Sequence, residues 1–167
     1  GVGKTTIAVN TAISLAKETG ENVALLDLDL QFGDVSVMMN ISPTKTIVDV
    51  IEEMGHLNSD ILDEYMIEYM KGLKVLCAPI KPEYAEYILP SHIETILEVL
   101  KKNYQYIIID SVANFNDVML TALDNSDQII MVTTMGLPTL KNVKLGLDVM
   151  DSLQYPEEKI KIVVNRL

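Results

Sequence analysis

Gly1-Val2-Gly3-Lys4-Thr5-Thr6 opens the chain, and the residues from Ile7 to Thr19 follow it without a glycine or proline. A Gly-x-Gly-Lys-Thr turn leading into an apolar helix is the back half of a phosphate cradle. Glycines let the backbone bend tightly and turn its N–H groups toward an anion, so Gly1, Val2 and Gly3 are cradle positions. Lys4 can reach β- and γ-phosphate oxygens, the Thr5 hydroxyl can ligate Mg²⁺, and the helix N-terminus adds its positive end. The full pattern asks for another glycine five positions before Gly3, and for a strand before that. The reading therefore expects a segment cropped just inside the P-loop, with the first strand and the front of the loop missing.

Working outward, Gly20 stands where a helix terminator belongs. Val23-Ala24-Leu25-Leu26-Asp27-Leu28-Asp29 reads as a buried strand ending in carboxylates. Its apolar residues run continuously rather than alternating, as a parallel sheet covered on both faces requires. Gln31–Asn40 reads as a turn and a short amphipathic helix, Thr46–Met54 and Asp60–Met70 as helices, and Leu73–Ala78 as a strand. Pro79–Pro90 is a proline-punctuated connection. Ser91 is the expected N-cap of a helix running to about Asn103, with Glu94 completing a capping box. Tyr106–Asp110 is the clearest strand. A helix over Phe115–Leu123, a strand over Gln128–Thr133, a helix over Pro138–Leu153 and a strand over Ile160–Val164 complete the chain. The alternation predicts one doubly wound α/β domain over residues 1–167, of the P-loop NTPase type with a mostly parallel sheet.

Ligands of such sheets bind beyond the carboxyl ends of the strands, where Asp27, Asp29 and Asp110 all fall. Asp110 follows three isoleucines, the Walker B arrangement of a carboxylate at a strand tip placed to hold Mg²⁺. Asp27 and Asp29 are two residues apart, so an extended strand turns both toward one side. They can then face one cation or one attacking water, and Asp29, nearer the tip, is the better candidate to position water.

Composition narrows the classes. The chain has 167 residues, a net charge of −11 and a single arginine, Arg166. Its lysines form no basic stripe, so nucleic-acid binding by this segment is not expected. The apolar runs are too short to span a bilayer. The one cysteine, Cys77, allows neither an internal disulfide nor a cluster site, which suits a reducing cytoplasm.

In this order, GVGKTT, LLDLDLQFGD, YIIID and IVVNR resemble the deviant Walker A ATPases of the ParA/MinD class. Within it, Leu28–Asp34, Ala78–Glu83 and Thr133–Asn142 look like the TadZ/CpaE branch, which helps localise Tad/Flp pilus machinery at the cell pole. The resemblance implies a cytoplasmic, polar or membrane-peripheral ATP·Mg²⁺-binding ATPase that acts as a dimerising spatial switch. Its partners would be a second copy and pilus-assembly or polar-localisation proteins, and any membrane association would come through regions outside this segment. It also implies roles: Lys4 on the β/γ-phosphates, Thr5 as Mg²⁺ ligand, Thr6 on the α-phosphate, Asp29 orienting the attacking water, Asp110 as the Walker B acid and Asn165 reading adenine. The signature lysine of the class would lie two residues before Gly1. One departure stands out: family members usually carry proline shortly after the Walker B acid, and here Ser111-Val112-Ala113 follows it, which points to slow turnover. Asn165-Arg166-Leu167 also matches the start of a guanine-reading Asn-Lys-x-Asp pattern, with arginine in place of lysine; the resemblance favours adenine.

Other residues read more plainly. His56 and His92 are expected to be solvated, Cys77 buried, and Met38 and Met39 core more than partner surface. The Leu140, Val143, Leu147 and Met150 stripe is expected to be core. The main rival to an ATPase is a nucleotide-binding scaffold without turnover. A P-loop biosynthetic enzyme would need a polar substrate constellation that the sequence does not offer. A nitrogenase-reductase-like protein would need paired cysteine ligands.

Overall fold

A computed structural model describes residues 1–167. The chain forms two compact units, one of Thr5–Asn125 and one of Gly1–Lys4 with Ser126–Leu167.

The Thr5–Asn125 unit is built on a four-stranded sheet of order β2-β3-β1-β4. β1 (Val23–Asp27) pairs in parallel with β3 (Leu73–Leu76) on one side and with β4 (Tyr106–Asp110) on the other. β2 (Ile67–Met70) adds an antiparallel edge. All five residues of β1 are buried, which explains its unbroken apolar run. Its side chains divide by parity. Val23 and Leu25 join Leu73, Val75 and Cys77 beneath Val9, Ala12 and Ala16 of α1 (Lys4–Thr19) and Val35 at the start of α2 (Val35–Met38). Ala24 and Leu26 face the opposite way. They pack with Ile47 and Val50 of α3 (Ile47–Val50), Leu62 of α4 (Ser59–Asp63), and Ile93, Ile96 and Leu97 of α5 (Pro90–Leu100). Helices therefore cover both faces of a mostly parallel sheet, the α/β arrangement expected from the alternation.

Helix ends follow local chemistry. Gly20 takes φ +68 and donates its N–H to Ala16 O at 3.2 Å, closing α1. Thr46 caps α3 through a box with Asp49, whose Oδ2 accepts the Thr46 N–H at 2.7 Å. Asn116 Oδ1 accepts the Met119 N–H at 2.9 Å and caps α6 (Asp117–Asp124).

Three expectations change. Residues 60–70 are not one helix: α4 stops at Asp63 and Ile67–Met70 is a strand. Gly72, at φ +88, lets the chain reverse through Lys71-Gly72 into β3, and strand pairing overrides the helical propensity of the segment. Ser91 does not cap α5. The helix begins at Pro90, whose missing N–H costs nothing at a first helical position, and the His92 Nδ1 accepts the Leu89 N–H at 3.0 Å. Asp29 does not continue β1, which ends at Asp27.

The other unit contains the parallel pair β5 (Ile129–Thr133) and β6 (Ile160–Val164), with α7 (Leu137–Ser152) between them in sequence. Of the α7 stripe, Met150 is buried and Val143 and Leu147 are half-buried, but Leu140 is exposed. No helix in the chain is long and apolar enough to cross a membrane.

Candidate nucleotide site

The period of two that builds the core also aims the acids. In β4, Tyr106 and Ile108 lie on the α1 side of the sheet, so Asp110 points the same way; Asp27 follows Val23 and Leu25 to that side. The two are register partners at adjacent strand tips, and both are buried, at 1% and 3% exposure. Asp110 meets the start of α1 directly. The Thr5 hydroxyl donates to Asp110 Oδ2 at 2.7 Å across 105 residues of sequence. Thr5 and Asp110, singled out separately as metal-ligand candidates, are thus side by side. Thr6, one residue on, is exposed, and Lys4 is the first residue of the same helix.

Asp29 lies beyond the end of β1, so strand parity does not set its direction. Asp27 Oδ1 accepts the Asp29 N–H at 3.1 Å, and its Oδ2 accepts the Val35 N–H at 3.3 Å. A carboxylate that bonds the backbone two residues on folds the chain into a turn and ends the strand. The loop after β1 consequently wraps Asp27, while Leu28 N–H donates to Asp110 O at 2.7 Å and pins the base of that loop to β4. Asp29 is carried outward to a half-exposed position, where its Oδ1 accepts the Phe32 N–H at 3.3 Å.

Burial raises the Asp27 carboxyl from 3.8 to about 7; the charges of Asp110 and Asp29 push the same way, and the two backbone N–H groups oppose them. Burial also lifts the Cys77 thiol to about 11, with the Asp27 charge adding to it, so Cys77 is a protonated core residue. His56 is exposed and bonds Glu53 at 2.6 Å, and His92 serves α5 as described. Met39 is buried, whereas Met38 is 45% exposed.

In the unit holding Gly1–Lys4, the phosphate-loop candidates meet the end of β6. Asn165 Nδ2 donates to Val2 O at 2.9 Å, and Asn165 N–H donates to Thr133 O at 2.7 Å. Gly3 takes φ +96, and a Cβ placed there would collide with the Asn165 side-chain nitrogen. A glycine at this position is therefore required twice, by backbone conformation and by space. Arg166 Nη1 donates to Gly1 O at 3.0 Å. That contact and the packing of Gly33 on Asp27, where an added Cβ would collide with the carboxylate, were not foreseen from sequence. For Arg166 the sequence offered its being the single arginine and its place after Asn165 in an Asn-Arg-Leu run, neither of which points to Gly1; Gly33 had a signal, a glycine between a strand-end acid and a short helix.

Comparison with known proteins agrees with this fold. The family model described as AAA domain matches residues 1–162. The septum site-determining protein MinD of Thermotoga maritima is 29% identical over 168 residues, covering 99% of this chain and 60% of that protein. The chain thus spans about three fifths of the length of this relative. Among solved structures, a ParA family ATPase from Chlorobium tepidum TLS superposes with a TM-score of 0.93 at 26% identity, over 99% of this chain and 70% of that one. The MinD of Pyrococcus horikoshii OT3, solved in complex with Mg-ADP, shares the fold with a TM-score of 0.75 at 22% identity, over 97% and 63% of the respective chains. With the family model spanning nearly all of the sequence, and with Lys4, Thr5 and Asp110 on the expected elements, the chain belongs to the AAA domain family and is a P-loop domain of the ParA/MinD type.

Proposed function

We propose that this chain is the nucleotide-binding part of a Mg²⁺-dependent ATPase that works as a dimerising localisation switch. The Thr5–Asp110 hydrogen bond carries the reading: a hydroxyl and a carboxylate from distant parts of the sequence sit together at the start of the phosphate-loop helix. Both are hard oxygen donors, the type Mg²⁺ takes. Thr5 and Asp110 would hold the ion, and no group of three or more His, Cys, Asp or Glu could hold it unaided, so the nucleotide itself would have to share in binding it. Bound there, the ion supplies neutralisation of phosphate charge. Gly1, Val2 and Gly3 present backbone N–H groups to phosphates, Lys4 binds the β- and γ-phosphates, and Thr6 meets the α-phosphate. Asp29, on its half-exposed loop, orients the attacking water. Asn165, tied to the loop backbone through Val2, reads adenine. Phosphoryl transfer to water asks mainly for positioning and charge neutralisation, which these residues provide.

The Mg-ADP complex of the Pyrococcus horikoshii relative supports the choice of ligand and ion. Within the family, the sequence features shared with the TadZ/CpaE branch favour a role in Tad/Flp pilus assembly at the cell pole, with pilus-assembly proteins as partners. A cytoplasmic, membrane-peripheral location goes with that role.

The test is phosphate release by the intact protein with Mg-ATP. Lys4→Ala should weaken ATP binding roughly 10- to 100-fold, the worth of a lost charge-assisted bond. Asp29→Ala should bind ATP like the wild type while turnover falls about 10²-fold or more. Equal binding and turnover in the wild type and both variants would overturn the site assignment. The Ser111-Val112-Ala113 sequence after Asp110 favours one second reading, a scaffold that binds nucleotide without hydrolysing it. Tight ATP binding with no phosphate released over hours would select it.

A further inference from the structure

The proposed reaction assigns work to Asp29 and leaves Asp27 without any. Yet Asp27 is the more buried of the two, and both its oxygens are engaged by the loop that carries Asp29. Gly33 closes the arrangement from the far side of that loop. A Cβ at Gly33 would collide with Asp27 Oδ2 and lie 2.7 Å from the Ala78 Cβ, at the end of the segment following β3. Gly33 is not in the left-handed region, so only the close approach requires a glycine here. Leu28 fixes the loop base to Asp110. Residues 28–35 are therefore held at three points: the Leu28 N–H on β4, the Asp29 and Val35 N–H groups on one carboxylate, and Gly33 packed against that carboxylate.

We propose that Asp27 and Gly33 are positioning residues that set the conformation of the loop presenting Asp29. This inference rests on the reading of Asp29 as the residue that orients water. Asp27 acts as a hub rather than as a ligand: it bonds backbone at both ends of the loop, so the placement of Asp29 follows from the placement of Asp27. Misplacing a water-orienting carboxylate by about an ångström can cost as much as 10²-fold in rate. Loss of the hub should thus lower turnover without touching the residues proposed to bind nucleotide.

The experiment pairs two readouts on the intact protein, for wild type, Asp27→Asn, Asp27→Ala and Gly33→Ala. The first is amide hydrogen exchange without nucleotide. The Asp29 and Val35 amides should be protected in the wild type and exchange at least about tenfold faster in Asp27→Ala, with Asp27→Asn between, since it keeps one acceptor oxygen. The second is steady-state ATP turnover. In Asp27→Asn and Gly33→Ala, kcat should fall about tenfold or more while KM for ATP stays within about twofold. Unchanged exchange at Asp29 and Val35 in Asp27→Ala would overturn the proposal, whatever the activity. So would a Gly33→Ala protein that folds and turns over like the wild type while Asp27→Asn is inactive, because Asp27 would then act chemically. A wild type with protected amides but no turnover would instead contradict the proposed ATPase function and leave the loop architecture standing.

Discussion

Thr5 and Asp110 could each be placed from sequence because each follows from a local rule that the fold does not override. Thr5 is fixed by its place after Gly3-Lys4 at a helix start, and Asp110 by the parity of an unbroken strand. Their 2.7 Å bond is what those two rules produce when α1 covers the Tyr106–Ile108 side of the sheet. Asp27 and Asp29 were misread by the same parity argument, which holds only while the strand continues. Asp27 ends it by bonding the Asp29 amide, a side-chain competition for backbone that alternation does not anticipate. The buried Asp27 carboxyl has a further consequence. Its folded value of about 7 lies above the 3.8 of an exposed aspartate. Between those values the folded state holds a proton that the unfolded state releases, so this group's contribution to stability is present below pH 3.8 and is lost as pH rises through about 7. A shift of that size corresponds to a few kcal/mol in order of magnitude. Asp110 and Asp29, whose charges face Asp27, act in the same direction. Denaturant unfolding of wild type and Asp27→Asn from pH 4 to 8 should show a wild-type stability that declines toward neutrality and a shallower decline in the variant. Parallel curves would mean that Asp27 is not buried as described.

Among the elements, the apolar parallel strands were legible and the antiparallel β2 was not. β1, β4, β5 and β6 are short apolar runs bounded by turn residues or charges, and α1 and α5 have long apolar stripes; in β1 the unbroken run reflects burial on both faces of the sheet. Ile67–Met70 carries only half-buried and exposed residues, so its sequence has no core pattern to betray a strand. What makes it one is Gly72, which at φ +88 turns the chain back against β3. An alanine there would have to adopt a left-handed conformation with its Cβ 3.3 Å from Glu21 O. Gly72→Ala should accordingly destabilise the protein by about 1–2 kcal/mol in urea unfolding, by strain at the hairpin. A loss of a few tenths would mean that the hairpin relaxes freely. Leu97→Ala removes a 2%-exposed side chain from the cluster of α3, α4 and α5 and should cost about 2–5 kcal/mol by the same measurement. A loss below about 1 kcal/mol would place Leu97 outside the core.

At the scale of the molecule, composition set limits rather than structure. A charge of −11 with no basic stripe disfavours non-specific binding to nucleic-acid phosphates, but it says nothing of topology. Order did more: a glycine-lysine-threonine turn, then a strand-end acid pair, a second strand-end acid and a final strand ending in asparagine place the chain in one family, and the match over residues 1–162 agrees. The central claim is that Mg-ATP bound through Lys4, Thr5 and Asp110 drives two copies together, and that hydrolysis through Asp29 releases them. Light scattering of the intact Asp29→Ala protein tests it most directly, because a protein that binds ATP but hydrolyses it slowly should accumulate the bound state. The account predicts a monomer mass without nucleotide and a dimer mass with Mg-ATP, reverting to monomer when Lys4→Ala is added to the same chain. A mass that stays the same with and without Mg-ATP would contradict it.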